Sequence, residues 1–144
     1  MVVIEVQNLS KSFGKTMAVN NITFNVNQGE IFGFLGPNGA GKTTTIRCLM
    51  DFIRPSQGRI SILGMDAYRN SIAIKKRVGY LTSDVRLYDG WTGWEHISFI
   101  EKIRQRKSMA GGLIERLNFN PNIKYKHLSS GNKQKLGIIL CLMF

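Results

Sequence analysis

The sequence predicts an α/β fold built around a phosphate-binding loop, and three observations lead to this prediction. A short apolar run, 31–35, has the composition of a buried strand and is followed directly by a glycine-rich segment, 36–44. The residues after it, 43–52, can continue as a helix whose N-terminus faces the glycines. Two stretches of alternating apolar and polar residues precede this unit and predict a pair of antiparallel strands. Strand, glycine loop and helix therefore come in the order that phosphate binding by backbone amides requires.

The glycine-rich segment has the spacing of a nucleotide-binding loop. Gly36 is followed, after four residues, by Gly41, Lys42 and Thr43. Glycines let backbone N–H groups point at an anion where a Cβ would block the approach. Lys42 can reach the β- and γ-phosphates, and the Thr43 hydroxyl suits a magnesium ion that bridges the same oxygens. A plain glycine-rich turn between a strand and a helix is the alternative, but it leaves Lys42 and Thr43 unexplained. The residues predicted to contact the phosphates are Gly36, Pro37, Asn38, Gly39, Ala40, Gly41, Lys42, Thr43 and Thr44.

Composition is typical of one compact, soluble domain. The chain has 144 residues, of which 43% are hydrophobic and 20% are charged. No apolar run approaches the roughly 18 to 20 residues of a membrane span, so a cytoplasmic protein is expected. Cys48 and Cys141 have no neighbours at metal-ligand spacing, so we expect reduced thiols.

The net charge of +11 raises the question of a polyanionic partner. The basic groups 75–77 and 102–107 have no interleaved aromatic residues that could stack on bases, and the group 124–135 has only Tyr125. This pattern favours a solvated surface, or one that faces an anionic membrane or an acidic partner, over a nucleic-acid site.

The remaining segments alternate between predicted strands and helices, which is typical of an α/β domain. The predicted strands are 2–9, 18–26, 59–63 and 78–81. The predicted helices are 66–77, 94–105, 113–117 and an apolar final helix that follows Gly131.

A second motif lies about ninety residues after the glycine loop. Its residues are Leu128, Ser129, Ser130, Gly131 and Asn132. Alone, the motif is typical of an N-cap before a helix. Together with the glycine loop, it resembles the ATP-binding domain of ABC transporters, and the resemblance covers essentially the whole chain. Leu128, Ser129 and Gly131 match that family's Leu-Ser-Gly-Gly-Gln signature, whereas Ser130 and Asn132 depart from it. Kinases and GTPases share the lysine and threonine of the loop, but they lack this second motif.

The resemblance implies a P-loop NTPase core with a RecA-like sheet, N-terminal antiparallel strands and an α-helical subdomain. In this chain the expected parts are the core at about 1–84, the helical subdomain at about 85–130 and the start of the signature helix at 131–144. It also implies that ATP and magnesium bind, and that a second ATP-binding domain, identical or different, presents its signature helix to the γ-phosphate.

Further positions resemble the family less completely. Phe13 stands where the family stacks an aromatic ring on adenine, although packing between the first strands would explain it equally well. Ser83 occupies the place of the glutamine in the glutamine loop, and its shorter side chain could reach the magnesium shell only through water. The segment 88–96 resembles the export branch that handles antibiotics, bacteriocins and other drugs. His96, within it, is expected to be a surface or helix-face residue and not a catalyst.

In the family, an apolar strand ending in Asp-Glu, the Walker B strand, follows the signature helix, and a histidine comes later. The 144 residues of this chain contain neither the strand nor the later histidine, so the predicted fold is incomplete. We therefore expect this chain alone to bind ATP weakly and to hydrolyse little or none.

The sequence thus predicts the ATP-binding subunit of an ABC transporter that exports a small molecule or peptide. The expected partners are a membrane-spanning subunit and a second ATP-binding domain, at the inner face of the cell membrane. The alternatives left open are a non-transport ATPase of the same class that acts on nucleic acid or ribosomes, and a noncatalytic nucleotide-binding module.

Overall fold

The computed structural model describes all 144 residues, which form two compact units, Met1–Val78 and Gly79–Phe144. The internal boundary expected from the sequence lay near residue 84. The architecture is mixed α/β, with an antiparallel sheet in the first unit and helices in both. No helix combines the length and the apolar character that a membrane-spanning segment needs.

The first unit is built on a four-stranded antiparallel sheet. Its strands are β1 (Val2–Phe13), β2 (Thr16–Asn27), β3 (Gln57–Ile62) and β4 (Met65–Asp66). The order across the sheet is β2-β1-β3-β4. β1 and β2 are longer than the sequence predicts because their alternation is interrupted by bulges. Asn8 and Asn21, with φ of 50° and 49°, lie where the pairing register shifts.

Two helices complete the first unit. They are α1 (Lys42–Leu49), which follows the glycine loop, and α2 (Ser71–Lys75). The core between sheet and helices contains Val6, Leu9, Val19, Cys48 and Ile74, all buried. The helix predicted over 66–77 is therefore shorter, since its first residues form β4 and a turn stabilised by the Asp66 side chain.

The apolar runs 31–35 and 78–81 are not strands in the structure, contrary to prediction. Ile31 and Leu35 are 99% and 93% exposed. A strand exists only when a neighbour takes up its backbone hydrogen bonds, and the four strands of this sheet pair with one another instead. Within 31–35 the order comes from side chains, because the Phe32 and Phe34 rings pack 5.2 and 5.5 Å from Phe24.

The second unit is helical. It contains α3 (Gly93–Arg104), α4 (Ala110–Arg116) and α5 (Ser130–Leu142), with a 3-10 turn at Tyr125–His127. Thr92 begins α3 with a capping box, in which its hydroxyl accepts from Glu95 N–H and the Glu95 carboxylate accepts from Thr92 N–H. The core of the unit lies along α5, where Leu136, Ile139 and Met143 are fully buried against α3 and α4.

Candidate nucleotide-binding site

The glycine loop is held against β2 at its C-terminal end. Gly41 has φ of 83°, a left-handed conformation, and ends the loop as the N-cap of α1. A Cβ at this position would overlap the carbonyl oxygen of Ala18 and lie 3.0 Å from the Val19 side chain. Only glycine therefore lets the loop approach β2 this closely. Gly39 also has a positive φ, 85°, but open space surrounds it.

The first turn of α1 directs backbone donors at the loop. The first helical bond runs from Thr45 N–H to Gly41 C=O at 2.8 Å. The amides of Lys42, Thr43 and Thr44 precede it and have no carbonyl within the helix to bond. Thr45 is buried and donates its hydroxyl to Gly41 C=O at 3.0 Å, which fixes the turn. The unbonded amides and the positive end of the helix dipole both favour an anion here.

Lys42 lies over its own loop. Its ammonium donates to the carbonyl oxygens of Gly36 and Pro37 at 2.5 and 2.6 Å. A bound phosphate would offer the ammonium charge-assisted bonds in place of these neutral ones. The exposed Thr43 hydroxyl, beside Lys42 in the first turn, is an oxygen ligand of the kind that Mg²⁺ prefers. The donor set thus fits a magnesium–polyphosphate group.

Phe13, the expected adenine-stacking residue, is 51% exposed at the end of β1. The Lys11 ammonium lies 4.9 Å from its ring centroid. The ring is therefore not enclosed between the strands, which leaves aromatic surface available for stacking.

The second motif caps α5. Ser129 is the N-cap, and its hydroxyl accepts from Asn132 N–H at 3.3 Å. Leu128 is buried and anchors the approach to the helix, whereas Ser130 and Gly131 are exposed at its N-terminus. The buried leucine and the exposed serine and glycine amides together present the start of α5 to solvent.

Ser83 is linked to α5 by a side chain that sequence reasoning did not single out. Its carbonyl oxygen accepts from Gln134 Nε2 at 2.7 Å. Gly137, one turn further along, leaves room for the Leu81 and Val85 side chains, each 2.8 Å from where its Cβ would be. The segment around Ser83 is therefore docked on α5. Gln134, two residues after the second motif, was the available sequence signal for this contact, because a glutamine side chain can donate a hydrogen bond to a backbone carbonyl.

His96 is buried and not at the surface, since only 3% of it is exposed. Its Nε2 accepts from Tyr88 N–H at 3.1 Å, so Nδ1 carries the proton and donates to Thr92 C=O at 2.8 Å. The ring therefore holds the turn before α3 through these two hydrogen bonds.

A groove of about 390 Å³ lies beside His96 in the second unit. Tyr88 and Phe99 line it and are 62% and 44% exposed. The Trp91 ring packs 4.6 Å from Tyr88 and 5.3 Å from Phe99, which holds both in place. The groove is therefore a preformed, mainly apolar surface.

Comparison with known proteins gives consistent results. A family model described as ABC transporter matches residues 19–144. The bacitracin transport ATP-binding protein BcrA of Bacillus licheniformis is 35% identical over 98% of this chain and 47% of its own length. The methionine import ATP-binding protein MetN of Chlamydia caviae is 34% identical over 98% of this chain and 46% of its own length. The solved structure of the ATP-binding subunit of an ABC transporter superposes with a TM-score of 0.87 at 27% identity, covering 96% of this chain and 61% of that one. This chain spans about half the length of the curated relatives that it matches.

Proposed function

Because the chain belongs to the ABC transporter family, we propose that it is part of an ATP-binding subunit that couples ATP binding and hydrolysis to transport. The observation that carries this proposal is the glycine loop, with the Lys42 ammonium inside it and the unbonded amides of α1 at its end. Loop and helix together form an anion site with a positive charge already in place.

In the proposed complex, the backbone amides of 39–44 and the Lys42 ammonium hold the phosphates of ATP. The Thr43 hydroxyl would hold a magnesium ion, and the charge of this ion would offset the negative charge of the phosphates. Phe13 stacks on the adenine. A second ATP-binding domain presents the N-terminus of its signature helix to the γ-phosphate of this ATP. In the same way, Ser129 and Gly131 of this chain are presented to the γ-phosphate that the second domain binds.

We propose that the membrane-spanning subunit docks in the groove beside His96. The half-exposed aromatic residues Tyr88 and Phe99 support this, because aromatic side chains are enriched where proteins associate. This docking would place the ATP-binding subunit at the inner face of the cell membrane.

Export of a small molecule or peptide is the proposed direction of transport. Two observations support export: the sequence of 88–96 resembles the export branch of the family, and the chain is 35% identical to a protein named for bacitracin transport. Relatives of similar identity are named for import, so the direction rests on the first of these observations more than on overall similarity.

As a separate chain, these 144 residues are proposed to bind ATP without appreciable turnover. Phosphoryl transfer needs a carboxylate that positions the attacking water, and the Walker B strand that carries this carboxylate in the family is not among these residues. Turnover comparable to a complete family member, measured as phosphate release by the purified chain, would contradict this proposal.

Nucleotide binding is tested by titrating the chain with a fluorescent ATP analogue in the presence of magnesium. Lys42→Ala removes a charged hydrogen-bond donor worth about 1.5 to 3 kcal/mol, so affinity should fall about 10- to 150-fold. Lys126→Ala, an equal change of charge at an exposed site in the second unit, should leave affinity unchanged. Equal losses in both variants would mean that binding is nonspecific attraction to a basic protein.

A further inference from the structure

A second cleft in the first unit, separate from the glycine loop, is lined by three arginines. It lies beside β3 and β4 and has a volume of about 330 Å³, at the lower end of the range of small-molecule sites. Arg54 comes from the turn before β3, Arg59 from β3 and Arg69 from the turn after β4. The fold thus brings three guanidinium groups from separate segments to one concave surface.

Arg54 is held by an aromatic ring. Its guanidinium carbon lies 3.6 Å from the centroid of Tyr68, another lining residue. Stacking on a ring restrains the plane of a guanidinium while its N–H edges stay free to donate. The cleft therefore contains one arginine that is already oriented.

The Asp66 carboxylate, which also lines the cleft, is hydrogen-bonded to the backbone. Asp66 Oδ1 accepts from the N–H groups of Arg69 and Tyr68 at 2.7 and 3.0 Å. These bonds, with the nearby Arg69 and Arg59 charges, hold the pKa of Asp66 below its usual range, so it stays ionised and keeps the turn folded. None of the three arginines forms an ion pair with a carboxylate.

We propose that this cleft binds a small phosphate-bearing anion at a site distinct from the glycine loop. Guanidinium groups match the geometry of phosphate oxygens with paired N–H donors. The lining contains three arginines and two carboxylates, Asp51 and Asp66, so the cleft has a net positive charge. An anion in this place would take up donors that have no partner within the protein.

The test is a titration of the ¹⁵N-labelled chain with inorganic pyrophosphate, followed by the amide resonances of both sites. In a Lys42→Ala background, which weakens the glycine loop, saturable shifts are expected at the amides of 58–69. Arg59→Gln and Arg69→Gln should each weaken this binding about tenfold or more, because each removes a charge-assisted donor. Arg59→Lys should also weaken it, since a lysine keeps the charge but not the paired donors.

The matched control is Arg47→Gln with Arg77→Gln, two exposed arginines outside the cleft. It lowers the net charge without changing the lining residues and should leave binding unaltered. The proposal is overturned if the amides of 58–69 do not shift, or if the control weakens binding as much as the cleft variants do. Because shifts at 36–44 report the glycine loop separately, a failure here and a failure of nucleotide binding are distinguishable.

Discussion

The two left-handed glycines of the phosphate loop should respond very differently to the same substitution. Gly39 and Gly41 have nearly equal φ, 85° and 83°, so an alanine at either position carries the same backbone cost, about 1 to 2 kcal/mol. They differ in surroundings. Gly39 has open space, whereas a Cβ at Gly41 would overlap the Ala18 carbonyl and contact Val19.

Backbone atoms cannot move aside as the end of a flexible side chain can, so Gly41→Ala must displace the loop from β2. Such overpacking costs about 1 to 3 kcal/mol in addition to the backbone term. Gly41→Ala should therefore lower the free energy of unfolding by about 2 to 5 kcal/mol, and Gly39→Ala by about 1 to 2.

Urea unfolding followed by circular dichroism measures this difference. For a slope near 2 kcal/mol/M, each kcal/mol moves the midpoint by about 0.5 M. ATP affinity should also fall more in Gly41→Ala, because the displaced loop no longer aligns the amides of α1. If the two variants have the same midpoint, the loop does not contact β2 as described and the reasoning is refuted.

Other predictions concern the second unit. Thr92→Ala should lower the free energy of unfolding by about 1 kcal/mol in urea unfolding, since it removes the N-cap of α3. Hydrogen bonds from Thr92 hold the pKa of Glu95 below its ordinary value of 4.5, so its ionised form stabilises the fold above that value; the contribution is lost as pH falls through the lower folded pKa. In Glu95→Gln, the free energy of unfolding should accordingly fall less as the pH is lowered below 4.5. If its pH dependence in this range is unchanged, the capping box does not contribute as described. Gly112→Ala, in open space within α4, should raise the free energy of unfolding by about 1 kcal/mol. Gly93→Ala should lower it, because the added Cβ would be crowded by the Phe119 ring and Pro121. Thermal melts of the two variants should show shifts of opposite sign. Tyr125→Phe removes a hydroxyl that donates to the backbone carbonyl of Val85, and should lower the free energy of unfolding by about 1 kcal/mol in urea unfolding.

The glycine loop before α1 and the helix caps could be predicted from sequence because they are local. Gly41 and Lys42 act within a few residues of one another, and the Thr92 and Ser129 caps each bond a residue three positions further on. The family resemblance and the fold class, confirmed by the comparisons, followed from two such local motifs.

Features that depend on distant segments could not be predicted in the same way. The run 31–35 has strand composition, but composition does not say which segment will pair with it, and in this structure none does. The burial of His96 depends on Tyr88 and Tyr125 packing around it. Likewise, nothing in the spacing of Arg54, Arg59 and Arg69 indicates that two turns and a strand bring them to one cleft.

The most direct test of the nucleotide-binding proposal is a titration of the ¹⁵N-labelled chain with magnesium-ATP. Saturable shifts are expected at the amides of 39–44, whose donors face the loop, and they should disappear at matched concentrations in Lys42→Ala. If these amides do not shift, or if they shift equally in Lys42→Ala, the glycine loop does not bind the phosphates in the way proposed.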